Sequence, residues 1–366
     1  MNSGIHMNNI NKLLSLTIFI FLLATTSFAL AEEIAVELKP GHPQQYTVKK
    51  GDTLWDISGT FLQKPWYWPE IWHINPQVKN PHLIYPGDVL KLVYIDGKPY
   101  ITRSQSGKRT VRLSPETREE QLDRAIPTIP LDIISSYLTK NRILNVREYS
   151  QLPYIVGIND EHMSAGANNS IYVIGIPENS NDIIYGIYRR GKAYKNPKNR
   201  NEVLGYEAIY LGEGSMEKKG SPATIYVEKS KAEILKKHRI IPINRDKVVD
   251  ANFLPRASEV KRSGEIIGVL TSGMQPGVKM VGELDVVIID IGLKDGVQTG
   301  DVFNIYKKGV TVNDPLLVNR RVKLPNEING NLMIFRPFNR LSYALVMGAQ
   351  STLRIGDVIK SPYLSE

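Results

Sequence analysis

Apolar and polar positions alternate just after residue 44 of the chain, and this alternation predicts a short β-strand. Tyr46 and Val48 are the apolar positions of that strand. The turn Gly51-Asp52-Thr53 follows, where Asp52 or Thr53 can cap the N-terminus of a helix. The first half of this region is therefore predicted to be a strand followed by a helix.

The second half of the region predicts a further helix and a returning strand. Pro69 suits a first helical turn, and Asn75-Pro76 is a stop signal. Residues 85–88 (Tyr-Pro-Gly-Asp) form a predicted turn, and residues 89–92 alternate as a second strand. Residues 46–92 are thus predicted to form a βααβ unit.

A different pattern begins at residue 153, where short runs of β-forming residues are separated by turn residues. A first series covers 154–158, 171–175, 183–188, 204–211 and 223–227, and a second covers 264–270, 284–291, 301–306, 330–336, 342–347 and 357–359. Each series predicts an antiparallel sandwich or a small barrel. The fold class predicted for the whole chain is therefore α+β and multidomain.

The two β-rich series resemble each other. Ile187-Tyr188-Arg189-Arg190-Gly191 corresponds to Ile305-Tyr306-Lys307-Lys308-Gly309, and residues 235–242 correspond to 353–360, both at an offset of 118. We predict a duplication, with related domains at 153–262 and 263–366. The alternative is that divergent β segments resemble each other through composition alone.

Residues 93–152 are predicted to connect the βααβ unit to the β-rich region. Ser114-Pro115 is typical of a helix start, and Pro127 and Pro130 interrupt that helix. The apolar positions within 131–138 lie on one face of a further short helix. A helix this short needs a neighbour to pack against, because isolated short helices are marginal in water.

The N-terminal residues have the pattern of a secretory signal peptide. Lys12 precedes an apolar run at 13–24, and small residues lead to Ala31. We expect cleavage after Ala31, a linker at 32–45 and export to the periplasm or cell envelope. The run is shorter than the roughly 20 residues that span a bilayer, so no stable membrane span is expected after cleavage.

Three ordered motifs give residues 46–92 a family resemblance. They are Y-x-V-x-x-G-D-T-L-W-x-I, W-x-x-I-W-x-x-N-P and I-Y-P-G-D-x-L-x-L. Together they resemble the LysM domain, a bacterial module that binds glycans containing N-acetylglucosamine, such as peptidoglycan. The Trp-rich residues 63–68 lengthen the stretch between the first two motifs relative to the shortest family members.

The resemblance implies a sugar groove between the strand-helix and helix-strand junctions. Carried over by position, it assigns the walls to Gly51, Asp52, Thr53 and Leu54, and to Leu83, Ile84 and Tyr85. A helix start suits an acetamide because its first N–H groups have no partners within the helix. Structural roles compete with this assignment: Gly51 can serve only the turn, Asp52 or Thr53 only the cap, and Leu54 only the core.

Composition and charge narrow the possible partners. The chain is 42% hydrophobic and 23% charged, which is typical of a globular protein, and its formal net charge is +9. Basic residues cluster at 189–200 and 229–239 and would suit an acidic envelope surface or simply solvated loops. Export argues against nucleic acid, so we expect peptidoglycan glycan strands and an envelope protein as partners.

Known catalytic patterns are absent from the sequence. There is no Cys, the six His lack H-x-H or H-E-x-x-H spacing, and two S-x-x-K matches (215–218 and 258–261) lack their companion motifs. The glycines of 292–303 fit a turn between strands better than a phosphate loop. We therefore predict no catalytic residue, metal or cofactor, although some pair among the 37 acidic residues could still act on a glycan.

The sequence thus predicts an exported, non-catalytic protein that tethers a β-rich interaction or scaffold region to peptidoglycan. A cell-wall hydrolase with its active site in residues 153–366 is the alternative. A structural part of an envelope assembly, with an obligate protein partner, is a third hypothesis.

Overall fold

A computed structural model of the protein describes residues 36–72, 84–104, 126–243, 253–259, 261–270, 280–317 and 319–363. The chain divides between residues 37 and 38, and almost all of the described residues belong to the unit Leu38–Glu366. The predicted signal peptide with Ala31, the Ser114-Pro115 helix start and the Asn75-Pro76 stop lie outside these ranges.

The predicted βααβ unit is present and carries one further strand. Its elements are β1 (Gln45–Thr47), α1 (Leu54–Phe61), a 3-10 turn (Pro65–Tyr67), α2 (Trp68–Ile71), β2 (Val89–Ile95) and β3 (Lys98–Ser104). The three strands form one antiparallel sheet in the order β1-β2-β3, with Tyr46 opposite Leu90. The sequence predicted only a connector from residue 93 onward, whereas β3 is a regular strand that belongs to this sheet.

Local chemistry explains why α1 begins at Leu54. The Thr53 hydroxyl accepts a hydrogen bond from the Asp56 N–H (3.2 Å), and the Asp56 carboxylate accepts one from the Thr53 N–H (3.1 Å). This reciprocal pair is a capping box. Asp52 serves the preceding turn instead, because its Oδ2 accepts from the Lys49 N–H (2.8 Å) and the Tyr46 hydroxyl (3.0 Å). Thr53 is therefore the cap.

The connector supplies two helices and a strand: α3 (Leu131–Thr139), β4 (Arg142–Leu144) and α4 (Val146–Gln151). The prediction of a helix at 131–138 is confirmed by α3. Its Tyr137 hydroxyl donates to the Leu270 carbonyl, and Arg336 donates to the carbonyls of Tyr137 and Asn141. These contacts dock α3 on the β-rich region. The sequence did not predict α4, which begins with a capping box between Asn145 and Glu148.

The first β-rich series forms a closed barrel. Its strands are β5 (Tyr154–Ile158), β6 (Ser170–Ile174), β7 (Ile184–Lys195), β8 (Val203–Lys218), β9 (Ala223–Ser230) and β10 (Arg239–Pro242). The sheet runs β4-β8-β7-β10-β5-β6-β9, and β9 also pairs with β8, so six strands close on themselves while β4 extends the sheet outside the ring. Buried aliphatic side chains fill the interior, including Ile171, Ile187 and Val227.

The second series forms another closed barrel. Its sheet contains β11 (Arg256–Ala257), β12 (Ser263–Val269), β14 (Val286–Ile289), β15 (Asp301–Lys307), β18 (Glu327–Pro337), β19 (Ser342–Ala349) and β21 (Val358–Lys360). Two separate two-stranded sheets pair β13 (Met280–Val281) with β20 (Leu353–Arg354) and β16 (Thr311–Asn313) with β17 (Arg321–Lys323). The sheet runs β11-β15-β18-β19-β14-β12-β21, and β21 also pairs with β15, so six strands close on themselves while β11 extends the sheet outside the ring. Gly296 (φ +87°) and Gly300 (φ +94°) lie in the turn between β14 and β15, as the turn interpretation of 292–303 requires.

The two barrels share one topology. We number the six strands of each ring from one to six in chain order. Around the ring, both barrels then have the order 1-2-5-4-3-6. Each has a register shift next to an equivalent glycine, Gly157 in one and Gly268 in the other. This agreement supports the duplication hypothesis, although the boundaries 153–262 and 263–366 remain predictions.

A small turn is also repeated, down to its hydrogen bonds. The Asn169 side chain accepts from the Gly166 N–H, and the Asp285 side chain accepts from the Gly282 N–H, both at 2.8 Å. Composition alone does not explain such agreement, because these bonds depend on local backbone geometry rather than on β propensity.

One predicted correspondence is wrong by one residue. Ile234 forms a β-bridge with Ala165, and in the second barrel Leu353 pairs with Val281 in the same way. Ile234 and Leu353 are both fully buried. Leu235, which the sequence pattern had matched to Leu353, is 41% exposed. The offset at this turn is therefore 119. An extra residue between the third and sixth strands of the second barrel shifts it, whereas Ile187 and Ile305 keep the offset of 118.

The corrected register matches His238 to Asp357. Each side chain accepts a hydrogen bond from the backbone N–H three residues earlier, Leu235 to His238 Nδ1 (3.0 Å) and Arg354 to Asp357 Oδ2 (2.8 Å). A neutral imidazole is needed for this bond, since a protonated ring has no acceptor. Burial, and then the charge of Arg189, lower the pKa of His238 below its ordinary value of 6.5.

Because of the His238 hydrogen bond in this turn, we expect the folded protein to lose stability in acid. The unfolded chain holds the His238 proton more tightly than the folded chain does, so stability falls as the pH drops below the ordinary imidazole pKa. We expect a lower Tm at about pH 5.5 than at about pH 7.5, and a smaller difference in His238→Asn, which keeps an acceptor but does not titrate. Thermal denaturation of both proteins at both pH values measures this. Equal differences would contradict it.

Candidate functional site

The first predicted wall of the groove is the turn that leads into α1. Gly51 has a φ of +97° and is exposed, and an added Cβ would meet no atom within 4 Å, so the glycine serves the backbone turn. Asp52 is half-buried, whereas Thr53 and Leu54 are buried. This wall therefore presents backbone groups and little side-chain surface.

The second wall is the turn before β2. Leu83 lies outside the described residues, Ile84 is buried and Tyr85 is half-buried. The Asp88 carboxylate holds this turn by accepting from the Tyr85 N–H (3.0 Å), and Arg103 lies 3.4 Å from the same oxygen.

Backbone bonds also join the second turn to the strand that leads into the first wall. The Val48 N–H donates to the Asp88 carbonyl (2.9 Å), and the Gly87 N–H donates to the Val48 carbonyl (2.8 Å). The spacing between the walls is therefore set by hydrogen bonds rather than by side-chain packing alone.

A segment of the connector lies between the two walls. The Ile126 N–H donates to the Ile84 carbonyl (2.8 Å) on one side. On the other side, the Leu54 N–H donates to the Pro127 carbonyl (3.0 Å) and the Trp55 N–H donates to the Thr128 carbonyl (3.2 Å). We call residues 126–128 the groove segment.

The groove segment changes what the helix start can offer a ligand. Sequence reasoning expected free N–H groups there, but every backbone N–H from residue 52 to 57 has an acceptor within the chain. The acceptors are Lys49, Asp56, Pro127, Thr128 and, for the last two N–H groups, Thr53. The expectation of free donors is therefore wrong for this conformation, because the chain itself supplies the partners.

The Trp-rich stretch contributes to packing rather than to an open sugar platform. Trp66 and Trp68 are buried, and the ring of Trp66 lies 6.4 Å from that of Trp55. Trp72 is half-buried, and its ring meets Trp68 edge-on at 6.2 Å. The insertion therefore enlarges the core of the module.

Comparison with known proteins agrees with this geometry. Residues 46–93 match the model of the LysM domain family. The chain contains a LysM domain. This domain is a binding module for glycans built from N-acetylglucosamine, such as peptidoglycan and chitin.

The chain also resembles a protein of Bacillus subtilis (strain 168), the uncharacterized protein YqbP. The two are 42% identical over 60 residues, which is 14% of this chain and 27% of YqbP. The chain thus spans about a quarter of the length of that relative.

A cleft of about 470 Å³ lies outside the LysM domain and between the barrels, and its lining residues include Lys198, Arg262, Asp290, Asp295 and Arg340. Burial raises the pKa of Asp290. Its Oδ1, however, accepts from the Glu265 N–H (2.6 Å), and Asp295 accepts from the Gly292 N–H and pairs with Arg262, both at 3.0 Å. Both carboxylates therefore support the local backbone.

The described ranges hold no group of three His, Cys, Asp or Glu side chains placed to bind a metal ion. Within the same ranges, no helix has the length and apolar character needed to cross a membrane.

Proposed function

We propose that this protein is an exported, non-catalytic peptidoglycan-binding protein that tethers a β-rich scaffold to the cell wall. The match of residues 46–93 to the LysM domain carries the proposal. The periplasm or envelope, with the signal peptide removed after Ala31, is the proposed location.

In the proposed complex, the glycan lies between the turn at Gly51, Asp52, Thr53 and Leu54 and the turn at Leu83, Ile84 and Tyr85. An N-acetyl group needs a donor for its carbonyl, an acceptor for its N–H and a small apolar surface for its methyl group. The Leu54 N–H and the Ile84 carbonyl have the required polarity, and both bond to the groove segment, which supports their lying on either side of one groove. The Tyr85 ring, half-buried at the second wall, supplies apolar surface for a sugar face.

The connector supports a tethering role because it contacts both the LysM domain and the second barrel. The carbonyls of Pro127 and Thr128 hold the LysM domain, and Tyr137 and Arg336 hold α3 on the second barrel. Binding at the wall would therefore hold the barrels near the wall through this connector. In this proposal the barrels present a surface to an envelope protein partner.

Co-sedimentation with insoluble peptidoglycan tests the function. We expect the mature protein to pellet, a chain without residues 46–93 to stay in solution, and soluble chitopentaose to release the intact protein. Competition by the sugar needs no variant, so it stands even if the deletion disturbs folding. Binding that survives both the deletion and the sugar would contradict a role for the LysM domain.

The same pellets distinguish the hydrolase alternative. Mass analysis of the supernatant is expected to detect no glycan fragments. Fragments released by the wild type and lost in Asp290→Asn or Asp295→Asn would instead make the cleft between the barrels an active site. A stoichiometric protein partner that co-purifies from envelope extracts would favour the third hypothesis, an obligate structural assembly.

A further inference from the structure

We propose that the groove segment, Ile126 to Thr128, is an internal occupant of the glycan groove and that a glycan binds by displacing it. This inference rests on the proposed function, since it concerns regulation of the same site. It makes the LysM domain of this chain a gated module, in which an intramolecular segment competes with the ligand.

The polar groups of the segment match those of an N-acetyl sugar. The acetamide of N-acetylglucosamine offers one carbonyl acceptor and one N–H donor. The segment offers the Pro127 and Thr128 carbonyls to the Leu54 and Trp55 N–H groups, and its Ile126 N–H to the Ile84 carbonyl. The segment therefore uses one wall as a donor and the other as an acceptor, which is the pairing that an acetamide requires.

The apolar groups of the segment also suit this place. Ile126 is 6% exposed and Thr128 is 3% exposed, so their side chains exclude water from the space between the walls. A sugar would cover the same surface with its methyl group and ring face. The segment thus covers apolar surface in the groove as well as pairing its polar groups.

Exchange between segment and sugar re-pairs two of the module's three polar groups through the acetamide, and the third, the Trp55 N–H, takes a sugar hydroxyl oxygen as its acceptor in place of the Thr128 carbonyl. All three bonds join backbone atoms, and a glycan amide can replace those of Leu54 and Ile84 one for one. Leaving a buried donor unpaired would be costly, so either occupant is favoured over an empty groove. The apparent association constant for glycan is then the intrinsic constant multiplied by the fraction of molecules whose groove is open.

Ile126→Ala tests the gate in the full-length mature protein, with Ile134→Ala as the matched control. Ile134 is buried as well, but it lies in α3 and has no part in the groove. We expect Ile126→Ala to weaken the internal occupant and lower the Kd for chitopentaose by about tenfold, as measured by calorimetry. Ile134→Ala should leave the Kd unchanged. An unchanged or higher Kd in Ile126→Ala, or an equal gain in both variants, would overturn the gate.

Hydrogen exchange of the wild type supplies a second readout that does not depend on a variant. Saturating chitopentaose should speed exchange of the Ile126 amide, because its bond to Ile84 is lost. The Leu54 amide should stay protected, because the sugar replaces Pro127 as its acceptor. Greater protection at Ile126 would make the segment a permanent third wall and overturn the proposal.

The outcomes separate the two levels of the proposal. Sugar binding by the wild type without a change at Ile126 would refute the gate and leave the LysM function standing. No binding by the wild type or by Ile126→Ala, to either chitopentaose or peptidoglycan, would refute both.

Discussion

Gly330→Ala is expected to lower the free energy of unfolding by about 3 kcal/mol, the upper end of the usual cost of overpacking. A Cβ at this position would lie 2.2 Å from the Gly348 carbonyl oxygen on the neighbouring strand β19. Backbone cannot yield as a flexible side chain does, so the ladder between β18 and β19 must shift. Urea denaturation followed by circular dichroism measures the loss.

The duplication extends this prediction to the first barrel. A Cβ at Gly212, on the equivalent strand β8, would also lie 2.2 Å from a carbonyl oxygen, that of Lys229. Gly212→Ala should therefore cost about as much as Gly330→Ala. Gly348→Ala is the matched control, because the nearest atom to its Cβ is a side-chain oxygen 3.8 Å away. Equal losses in Gly330→Ala and Gly348→Ala would contradict the close approach.

Phe61→Ala is expected to abolish peptidoglycan binding while both barrels stay folded. Phe61 is the fully buried last residue of α1, and truncating a buried Phe costs about 3–5 kcal/mol. A module of roughly 50 residues has little stability to spare, so this loss should unfold it locally. Co-sedimentation reports the binding, and circular dichroism reports the β-structure.

Phe303→Ala is the control for that variant. Phe303 is equally buried, but it lies in the core of the second barrel. We expect this variant to lower the stability of the barrel and to retain binding at moderate temperature. Retained binding in Phe61→Ala, or loss of binding in both variants, would argue that the LysM domain does not bind as an independent unit.

Local signals in the sequence predicted most of the LysM domain. The Gly51-Asp52-Thr53 turn, the helix after it and the strand at 89–92 depend on residues close together in the chain, and their chemistry is readable in order. The choice of Thr53 over Asp52 as the cap was not readable. It depends on the hydroxyl of Tyr46 in β1, which donates a hydrogen bond to the Asp52 carboxylate.

The closure of the barrels could not be chosen from the sequence. Short alternating runs predicted a sandwich or a barrel, and the difference is whether β8 also pairs with β9 and β15 with β21. Such pairing depends on strand twist and length across the whole sheet. The length of β8, Val203–Lys218, allows β9 to pair with residues 212–218 beyond β4 at residues 206–208, while β7 pairs along the other edge.

The groove segment was missed for a different reason. Pro127 signalled only a helix break, and the bonds of this segment run through carbonyl and N–H groups that every residue carries. The pattern of side chains in the sequence therefore does not indicate such bonds. The helix α4 was missed even though Asn145 and Glu148 have the capping-box spacing, because its apolar pattern is weak: none of its residues is buried.

An NMR titration of the isotope-labelled mature protein with chitopentaose tests the central claim most directly. We predict shifts confined to the amides of Gly51, Asp52, Thr53, Leu54, Leu83, Ile84 and Tyr85 and to the groove segment. Amides in the interiors of both barrels should not move. Shifts that map to the cleft around Asp290, with none at the two turns of the LysM domain, would contradict the account and move glycan recognition to the barrels.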